Sequence, residues 1–255
     1  MSLEKWQAKF LIAATAIMPF APLLYLQGQL ARRRVGVLPG AGGENSGVVG
    51  EGEQTSAKLF VIGESTVAGL GARTHDLAFA GQFASQLSLS LDRPVRWHVV
   101  GKNGVTARRT IDELLPQMPD ERFDYVMIGL GGNDVMKLSS PKKWRRDMIE
   151  LLGKIREKNP DAVIFLSNCP MIKYSPAIPQ PIRAMLWELS KMHDANIKEF
   201  TADMPRVFYY PQPANVRLEG FFADGIHPSE QGYADWAAAM IDYFNQTHQW
   251  KNPTT

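Results

Sequence analysis

Three residues of this chain have the side chains that are needed for nucleophilic attack on a carbonyl carbon. Ser65 closes an apolar run at Gly63-Glu64-Ser65, and Asp224 and His227 lie three positions apart near the other end of the sequence. A serine hydroxyl is a weak nucleophile until a base takes its proton, and an imidazole oriented by a carboxylate is a suitable base. A compact loop would place Asp224 beside Nδ1 of His227 and leave Nε2 for Ser65. This set predicts nucleophilic acyl-transfer chemistry.

Two glycine-containing patches between these residues could supply hydrogen-bond donors to a developing oxyanion. They are Asn103-Gly104 and Gly131-Gly132-Asn133-Asp134. The backbone amides of Ser65 and Gly104 and the side-chain amide of Asn133 are the candidate donors. A tight turn would also explain the first patch, and a flexible strand exit would explain the second. We expect Asp134 to brace its loop rather than to react.

The elements that position these residues follow from the hydrophobic pattern after Lys58. The predicted strands are Leu59–Ile62, Val95–Val100, Tyr125–Leu130, Ala162–Leu166 and Arg206–Tyr209. The predicted helices are Phe79–Leu91, Thr106–Leu114, Trp144–Lys158, Ile182–Phe200 and Glu230–Gln246. Alternating strands and helices predict an α/β fold with a parallel sheet covered on both faces. The three patches that follow strands should then meet at the carboxyl edge of the sheet.

In this order and on this strand pattern, the four patches resemble the SGNH (GDSL-type) hydrolase family over roughly Lys58 to Asn245. The resemblance implies a three-layer α/β/α sandwich with a flavodoxin-like, five-stranded parallel sheet in the order 2-1-3-4-5. It also implies that Ser65 is the nucleophile, that Gly104 and Asn133 are oxyanion donors, and that Asp224 and His227 complete the site. The family usually has Gly-Asp-Ser where this chain has Glu64, so the glutamate must fold back by one extra methylene to hold the turn.

The N-terminal segment is a separate problem, because Phe10 to Leu26 is apolar on every side and carries no charge. A cleaved signal peptide fits poorly, since small residues do not follow the apolar core. A retained membrane anchor, spanning or dipping into a bacterial-type inner membrane, is favoured; a helix docked on the protein itself is the alternative. The predicted organisation is an anchor over 1–34, a flexible linker over 35–57 and a hydrolase domain over 58–255.

Composition argues against several other classes of function. The 255 residues carry a net charge of only +2 without a long basic stripe, which disfavours nucleic acid as a partner. Cys169 is the single cysteine, so neither a disulfide nor a cysteine metal cluster can form within the chain. The histidines other than His227 show no metal-ligand spacing: His75, His98, His193 and His248. We therefore predict no metal and no cofactor, while the oligomeric state stays open.

Apolar residues near the predicted site suggest where a substrate would bind. Met171 and Ile172 belong to a proline-stiffened loop over 170–181, and Phe222 precedes the Asp224 loop. They could line an acyl-chain groove, or they could pack beneath long loops. With an anchor beside the site, a lipid ester or an acyl thioester is the favoured substrate. The alternatives are a carbohydrate O-acetyl esterase and a catalytically silent, membrane-tethered binding domain.

Overall fold

The fold is built around one sheet. The structure is a computed structural model that describes residues 2–247 and 250–251, so His248 lies outside the described residues. The strands of the described part are β1 (Ser46–Val49), β2 (Ala57–Gly63), β3 (Val95–Gly101), β4 (Tyr125–Gly129), β5 (Val163–Leu166) and β6 (Val207–Tyr209). They lie in the order β1-β3-β2-β4-β5-β6, and β2 to β6 are mutually parallel. The parallel strands confirm the predicted order 2-1-3-4-5.

Helices cover both faces of this sheet. The main ones after the N-terminal segment are α3 (Phe79–Leu91), α4 (Ala107–Arg109), α5 (Gly132–Met136), α6 (Pro141–Lys158), α7 (Ile182–Thr201) and α8 (Glu230–Thr247). Successive side chains of β2 point to opposite faces: Phe60 and Ile62 join the core beneath α6, whereas Leu59 and Val61 join the core beneath α3 and α8. These two buried cores confirm the three-layer sandwich.

The carboxyl edge of the sheet has little room for side chains where its central strands end. Gly63 of β2 lies in register with Gly101 of β3 and with Gly129 of β4. A Cβ atom on Gly63 would lie 2.0 Å from the carbonyl oxygen of Gly129, and one on Gly101 would lie 2.4 Å from the amide nitrogen of Ala68. Glycine therefore lets the loop that follows β2 pack directly against its neighbours. The patches that contain Ser65, Gly104 and Asn133 follow β2, β3 and β4 and meet at this edge, as predicted.

The structure corrects part of the prediction that residues 35–57 form a flexible linker. Ser46–Val49 within it forms β1, which pairs antiparallel with β3 from Ser46↔His98 to Val49↔Val95. The amide of Ala41 also donates to the carbonyl of Ala68 at 2.9 Å. Glycine, serine and glutamate around a four-residue edge strand hid the strand signal, since period-2 alternation is hard to detect over so short a run.

The predicted helix over Thr106–Leu114 is irregular. It begins as α4, continues as a π-helical turn over Thr110–Leu114 and ends in a 3-10 turn over Leu115–Gln117. Pro116 has no amide hydrogen and cannot continue α-helical hydrogen bonding, so the segment ends there in a different helical form. The other predicted helices and strands agree with the structure to within about three residues at each end.

The N-terminal segment forms two helices, α1 (Leu3–Ile17) and α2 (Ala21–Val35), joined by a 3-10 turn at Pro19. The stretch Leu3–Ala31 is long enough to cross a membrane and contains an 18-residue window with a mean hydropathy of 1.7, although a signal sequence has the same properties. Trp6 is buried, and Glu4 forms an ion pair with Lys142 of α6 at 2.9 Å. The large apolar side chains that stay exposed are Leu11, Ile12, Met18, Phe20, Leu23, Tyr25, Leu26 and Leu30.

Candidate active site

Ser65 lies in the irregular turn that leaves β2. The carbonyl of Glu64 accepts hydrogen bonds from the amides of Val67 and Ala68, both at 2.9 Å, and the Ser65 carbonyl accepts from Leu70 at 3.1 Å. These bonds close the turn on itself. The Ser65 hydroxyl and the Ser65 amide nitrogen, by contrast, form no hydrogen bond with any residue that the structure describes. Both groups are thus available to a substrate.

Asp224 and His227 form the predicted pair. Oδ2 of Asp224 lies 2.8 Å from Nδ1 of His227, while Oδ1 accepts from the amides of Ile226 at 2.8 Å and His227 at 2.7 Å. Burial alone would raise the pKa of Asp224, but the hydrogen bonds from His227 and Ile226 outweigh it and hold that pKa below its usual value. An ionised Asp224 keeps the hydrogen on Nδ1 and leaves Nε2 as an acceptor.

Contacts that the sequence did not reveal hold the serine turn beside the start of α8. The hydroxyl of buried Tyr233 donates to the carbonyl of Leu70 at 2.7 Å. Arg73 forms two side-chain hydrogen bonds with Glu230, each at 2.9 Å. The first turn of α8 is therefore fastened to the loop that carries Ser65, which brings opposite ends of the domain sequence together. A buried tyrosine on the stripe of α8 was the available signal, but the stripe indicated only core packing.

One cavity of about 1310 Å³ is lined by both Ser65 and His227. No hydrogen bond joins the Ser65 hydroxyl to the His227 ring within the described residues. Such bonds are often long in the absence of substrate and shorten in the complex, so the shared cavity is the relevant geometry. The predicted substrate-binding residues Met171, Ile172 and Phe222 line the same cavity.

Gly104 also lines this cavity, and two cationic side chains that line it as well hold Gly104 in place. Its φ of +79° is a left-handed conformation that glycine adopts without strain. Its carbonyl oxygen accepts from Nζ of Lys137 at 2.6 Å and from a guanidinium nitrogen of Arg109 at 3.2 Å. Its amide nitrogen forms no hydrogen bond with the described residues. Two cations thus fix the loop while its amide remains free.

Glu64 stabilises the loop that contains Asn133 rather than its own turn. The amides of Gly132 and Asn133 donate to its carboxylate at 2.6 and 2.7 Å, and the side-chain amide of Asn133 donates to it as well. The longer glutamate side chain therefore bridges from the end of β2 to the loop after β4. An amide nitrogen carries two hydrogens, so Asn133 keeps a second one for another acceptor.

Asp134 braces the same loop, as predicted. Its buried carboxylate accepts from the Ala107 amide and from the Ser139 hydroxyl, each at 2.8 Å. Of the other histidines, His193 is buried, stacks on Trp144 and bonds to the Ser139 carbonyl, and burial lowers its pKa to about 3. Among the described residues, no group of three histidine, cysteine or acidic side chains could hold a metal ion.

Because Glu64 is buried, we expect its contribution to the free energy of unfolding to depend on pH. Burial raises its pKa to about 7, more than the hydrogen bonds from Asn133 and Gly132 lower it. Because the folded pKa lies above the ordinary value of 4.5, the folded protein binds a proton that the unfolded chain releases between these pH values. Glu64 therefore contributes roughly 3 kcal/mol to the free energy of unfolding below about pH 4.5. This contribution is lost as the pH rises through about 7.

Urea unfolding of the wild type and of Glu64→Gln at pH 5 and pH 8 measures this term. Since glutamine does not titrate, the loss of unfolding free energy between pH 5 and pH 8 should be smaller in the variant than in the wild type. Glu219→Gln is the control, because Glu219 is exposed, and it should behave like the wild type. The same pH dependence in wild type and Glu64→Gln would show that Glu64 titrates normally.

The chain is similar to one protein family in sequence and to several solved structures in fold. The sequence model of the GDSL-like Lipase/Acylhydrolase family matches residues 61–234. A lipase from a goat rumen metagenome has a TM-score of 0.59 at 17% identity, covering 76% of this chain and 100% of that chain. Phospholipase A1 from Streptomyces albidoflavus has a TM-score of 0.53 at 13% identity, covering 74% and 99%.

A third solved structure belongs to a different class of esterase. An acetyl xylan esterase from Butyrivibrio proteoclasticus has a TM-score of 0.52 at 16% identity, covering 79% of this chain and 67% of that chain. No curated protein matches the chain significantly. At identities this low, the solved structures support the fold alone.

Proposed function

The chain belongs to the GDSL-like lipase/acylhydrolase family, and on that premise we propose that it cleaves an acyl ester or thioester through an acyl-enzyme on Ser65. Membership of this family makes it an esterase- or lipase-type hydrolase. The observation that carries the finer proposal is the single cavity that Ser65 and His227 share with many apolar side chains.

The proposed reaction begins with attack by the Ser65 hydroxyl oxygen on the acyl carbon. Nε2 of His227 takes the hydroxyl proton, and Asp224 stabilises the imidazolium through Nδ1. Collapse of the tetrahedral intermediate breaks the bond to the leaving oxygen or sulfur, which receives the proton from His227. Water then attacks the acyl-enzyme with His227 as base, which releases the carboxylic acid and restores Ser65.

Three donors are proposed to stabilise the oxyanion that forms in each step. The amides of Ser65 and Gly104 have no partner among the described residues, and Asn133 keeps one side-chain hydrogen beyond its bond to Glu64. Donors fixed before the reaction lower the barrier, because they need no rearrangement when the charge develops. Glu64, Lys137 and Arg109 would serve the reaction indirectly by holding two of these donors.

The lining of the cavity favours a lipid-like acyl group over a sugar ester. Met171, Ile172 and Phe222 contribute to it, and so do Met136 and Leu138. Burial of methylene groups against apolar side chains is favourable, whereas such side chains give the hydroxyl groups of a sugar few hydrogen-bond partners. We therefore place a fatty acyl ester first and a carbohydrate O-acetyl ester second.

A membrane location is the corresponding proposal for the N-terminal segment. The segment Leu3–Ala31 has the length and hydropathy of a membrane helix, and much of its outer surface is apolar and exposed. Both ends also contact the hydrolase domain: Glu4 pairs with Lys142, and Gln27 donates to the carbonyl of Gln180 at 2.7 Å. Because α1 and α2 contact one domain at both ends of the segment, we place them along the membrane surface rather than across the bilayer.

A series of p-nitrophenyl esters on the full chain tests the proposed function. We expect kcat/KM to rise from acetate to octanoate, by up to about fourfold for each methylene that becomes buried. A sharp preference for acetate would instead favour the carbohydrate O-acetyl esterase. No turnover of any ester, together with no labelling of Ser65 by a fluorophosphonate, would favour the silent binding domain.

A further inference from the structure

The N-terminal helices form part of the cavity that contains Ser65. Residues Ile17, Ala21, Leu24, Tyr25 and Gly28 line it, as do Ser65 and His227. The segment that the sequence marks as an anchor is thus also a wall of the candidate active site.

One face of α2 consists of small and apolar residues that line the cavity. Ala21, Leu24 and Gly28 recur at intervals of three and four residues, which places them on one side of a helix. Gly28 approaches α7, since a Cβ atom there would lie 3.9 Å from a terminal carbon of Ile182. The neighbouring Leu23 and Leu26 do not line the cavity, and 67% and 59% of their surfaces are exposed. The helix therefore has an inner apolar face on the cavity and an outer apolar face on solvent.

The helices are held in this position by contacts with α6 and α7. Lys9 of α1 pairs with Glu188 of α7 at 3.4 Å, and the Gln7 side chain accepts from the Lys142 amide at 3.1 Å. Phe10 packs against a buried apolar cluster that includes Ile172 and Leu186. Ile172 and Leu186 themselves line the cavity. The wall is thus continuous with the packed interior beneath the loop over 170–181.

The size of the cavity indicates what would occupy it. Drug-sized ligands occupy pockets of about 300–1,000 Å³, and this cavity measures about 1310 Å³. An acetyl group would leave nearly all of it empty. A long acyl chain attached at Ser65 would instead run along an apolar surface, of which α2 forms one side.

We propose that α2, together with the end of α1, is a wall of the acyl-binding site, with Leu24 of α2 and Ile17 of α1 selecting for long acyl chains. The inference rests on the proposed function, because it needs Ser65 to be the acylated residue. It adds that selectivity for chain length resides in the same segment that faces the membrane. Loss of contact with two methylene groups corresponds to a change of about 15-fold in kcat/KM.

The test compares Leu24→Trp with Leu23→Trp in the full chain, both assayed in the same detergent micelles. The readout is the ratio of kcat/KM for p-nitrophenyl dodecanoate to that for the acetate. We expect Leu24→Trp to lower this ratio about tenfold or more, because the indole fills the inner face of α2. Leu23→Trp adds the same side chain to the outer face and should leave the ratio unchanged within about twofold. Ile17→Trp and Met18→Trp provide a second matched pair.

Labelling by alkyl fluorophosphonates separates failure of this inference from failure of the proposed function. If Ser65 is labelled but dodecyl and ethyl probes react in the same ratio in Leu24→Trp as in the wild type, then α2 is not a wall of the site. Equal changes in Leu24→Trp and Leu23→Trp would also overturn the inference. No labelling of Ser65 in wild type by either probe would overturn the proposed function and this inference together.

Discussion

Replacement of Ser65 by alanine is expected to lower kcat for a medium-chain ester by about 10⁴- to 10⁶-fold, close to the limit of detection. The reason is chemical, because alanine has no oxygen that can form the acyl-enzyme. The folded state should be nearly unaffected, since the Ser65 hydroxyl has no hydrogen-bond partner among the described residues. Ester turnover, intact mass after fluorophosphonate treatment and Tm measure these effects.

The matched control for this prediction is Ser167→Ala. Ser167 is also buried, follows β5 at the same edge of the sheet and lines the same cavity, but it lies outside the serine turn that is fastened to α8. The variant should be labelled by the fluorophosphonate like the wild type. Retention of turnover and labelling by Ser65→Ala, or their loss in Ser167→Ala alone, would move the nucleophile away from Ser65.

The parallel sheet could be predicted because its strands are buried on both faces. Runs such as Leu59–Ile62 are continuously apolar and end at glycine, and helical stripes of the right length separate them. Burial then fixes both the type of element and its approximate ends. The edge strand β1 lacks this signal, because only one of its edges is paired and its side chains are at most half-buried. Its pairing with β3 depends on tertiary contact.

The chemical groups of the site were visible in the sequence, whereas the contacts that position them were not. Ser65, Asp224 and His227 have side chains whose chemistry is evident from type and spacing. The bond from Tyr233 to the Leu70 carbonyl joins residues 163 positions apart, and no local pattern encodes such a partner. The role of Glu64 was likewise hidden, because its acceptor atoms reach a loop that is distant in sequence.

The N-terminal segment shows how one composition can fit several structures. Uniform apolarity from Phe10 to Leu26 favours a membrane anchor, but a signal sequence and a docked helix can have the same property. The structure adds polar contacts at both ends with the hydrolase domain, together with an apolar face on the cavity. A protein truncated before Val35 would consequently lose a wall of that cavity. Substrate preferences should therefore be measured on the full chain.

The second large effect is expected for Asp224→Asn, which should lower kcat about 10⁴-fold. The side-chain oxygen of asparagine can still accept from the amides of Ile226 and His227, as Oδ1 of the aspartate does. Its amide group, however, would face Nδ1 of His227 as a donor, where Oδ2 now accepts. The ring would then carry its hydrogen on Nε2, which could no longer take the proton of Ser65.

Comparison with Asp224→Ala separates this tautomer effect from simple damage to the loop. Alanine removes the acceptor for both backbone amides as well as the partner of Nδ1, so its Tm should fall below that of Asp224→Asn, while both variants lose activity. Asp235→Asn is the control for loss of a carboxylate at the cavity, because Asp235 lines it from α8 and its side chain accepts only from Gln231 among the described residues. A loss of less than tenfold in Asp224→Asn with unchanged Tm would mean that His227 does not need this carboxylate. The base that activates Ser65 would then have to be sought elsewhere along the cavity.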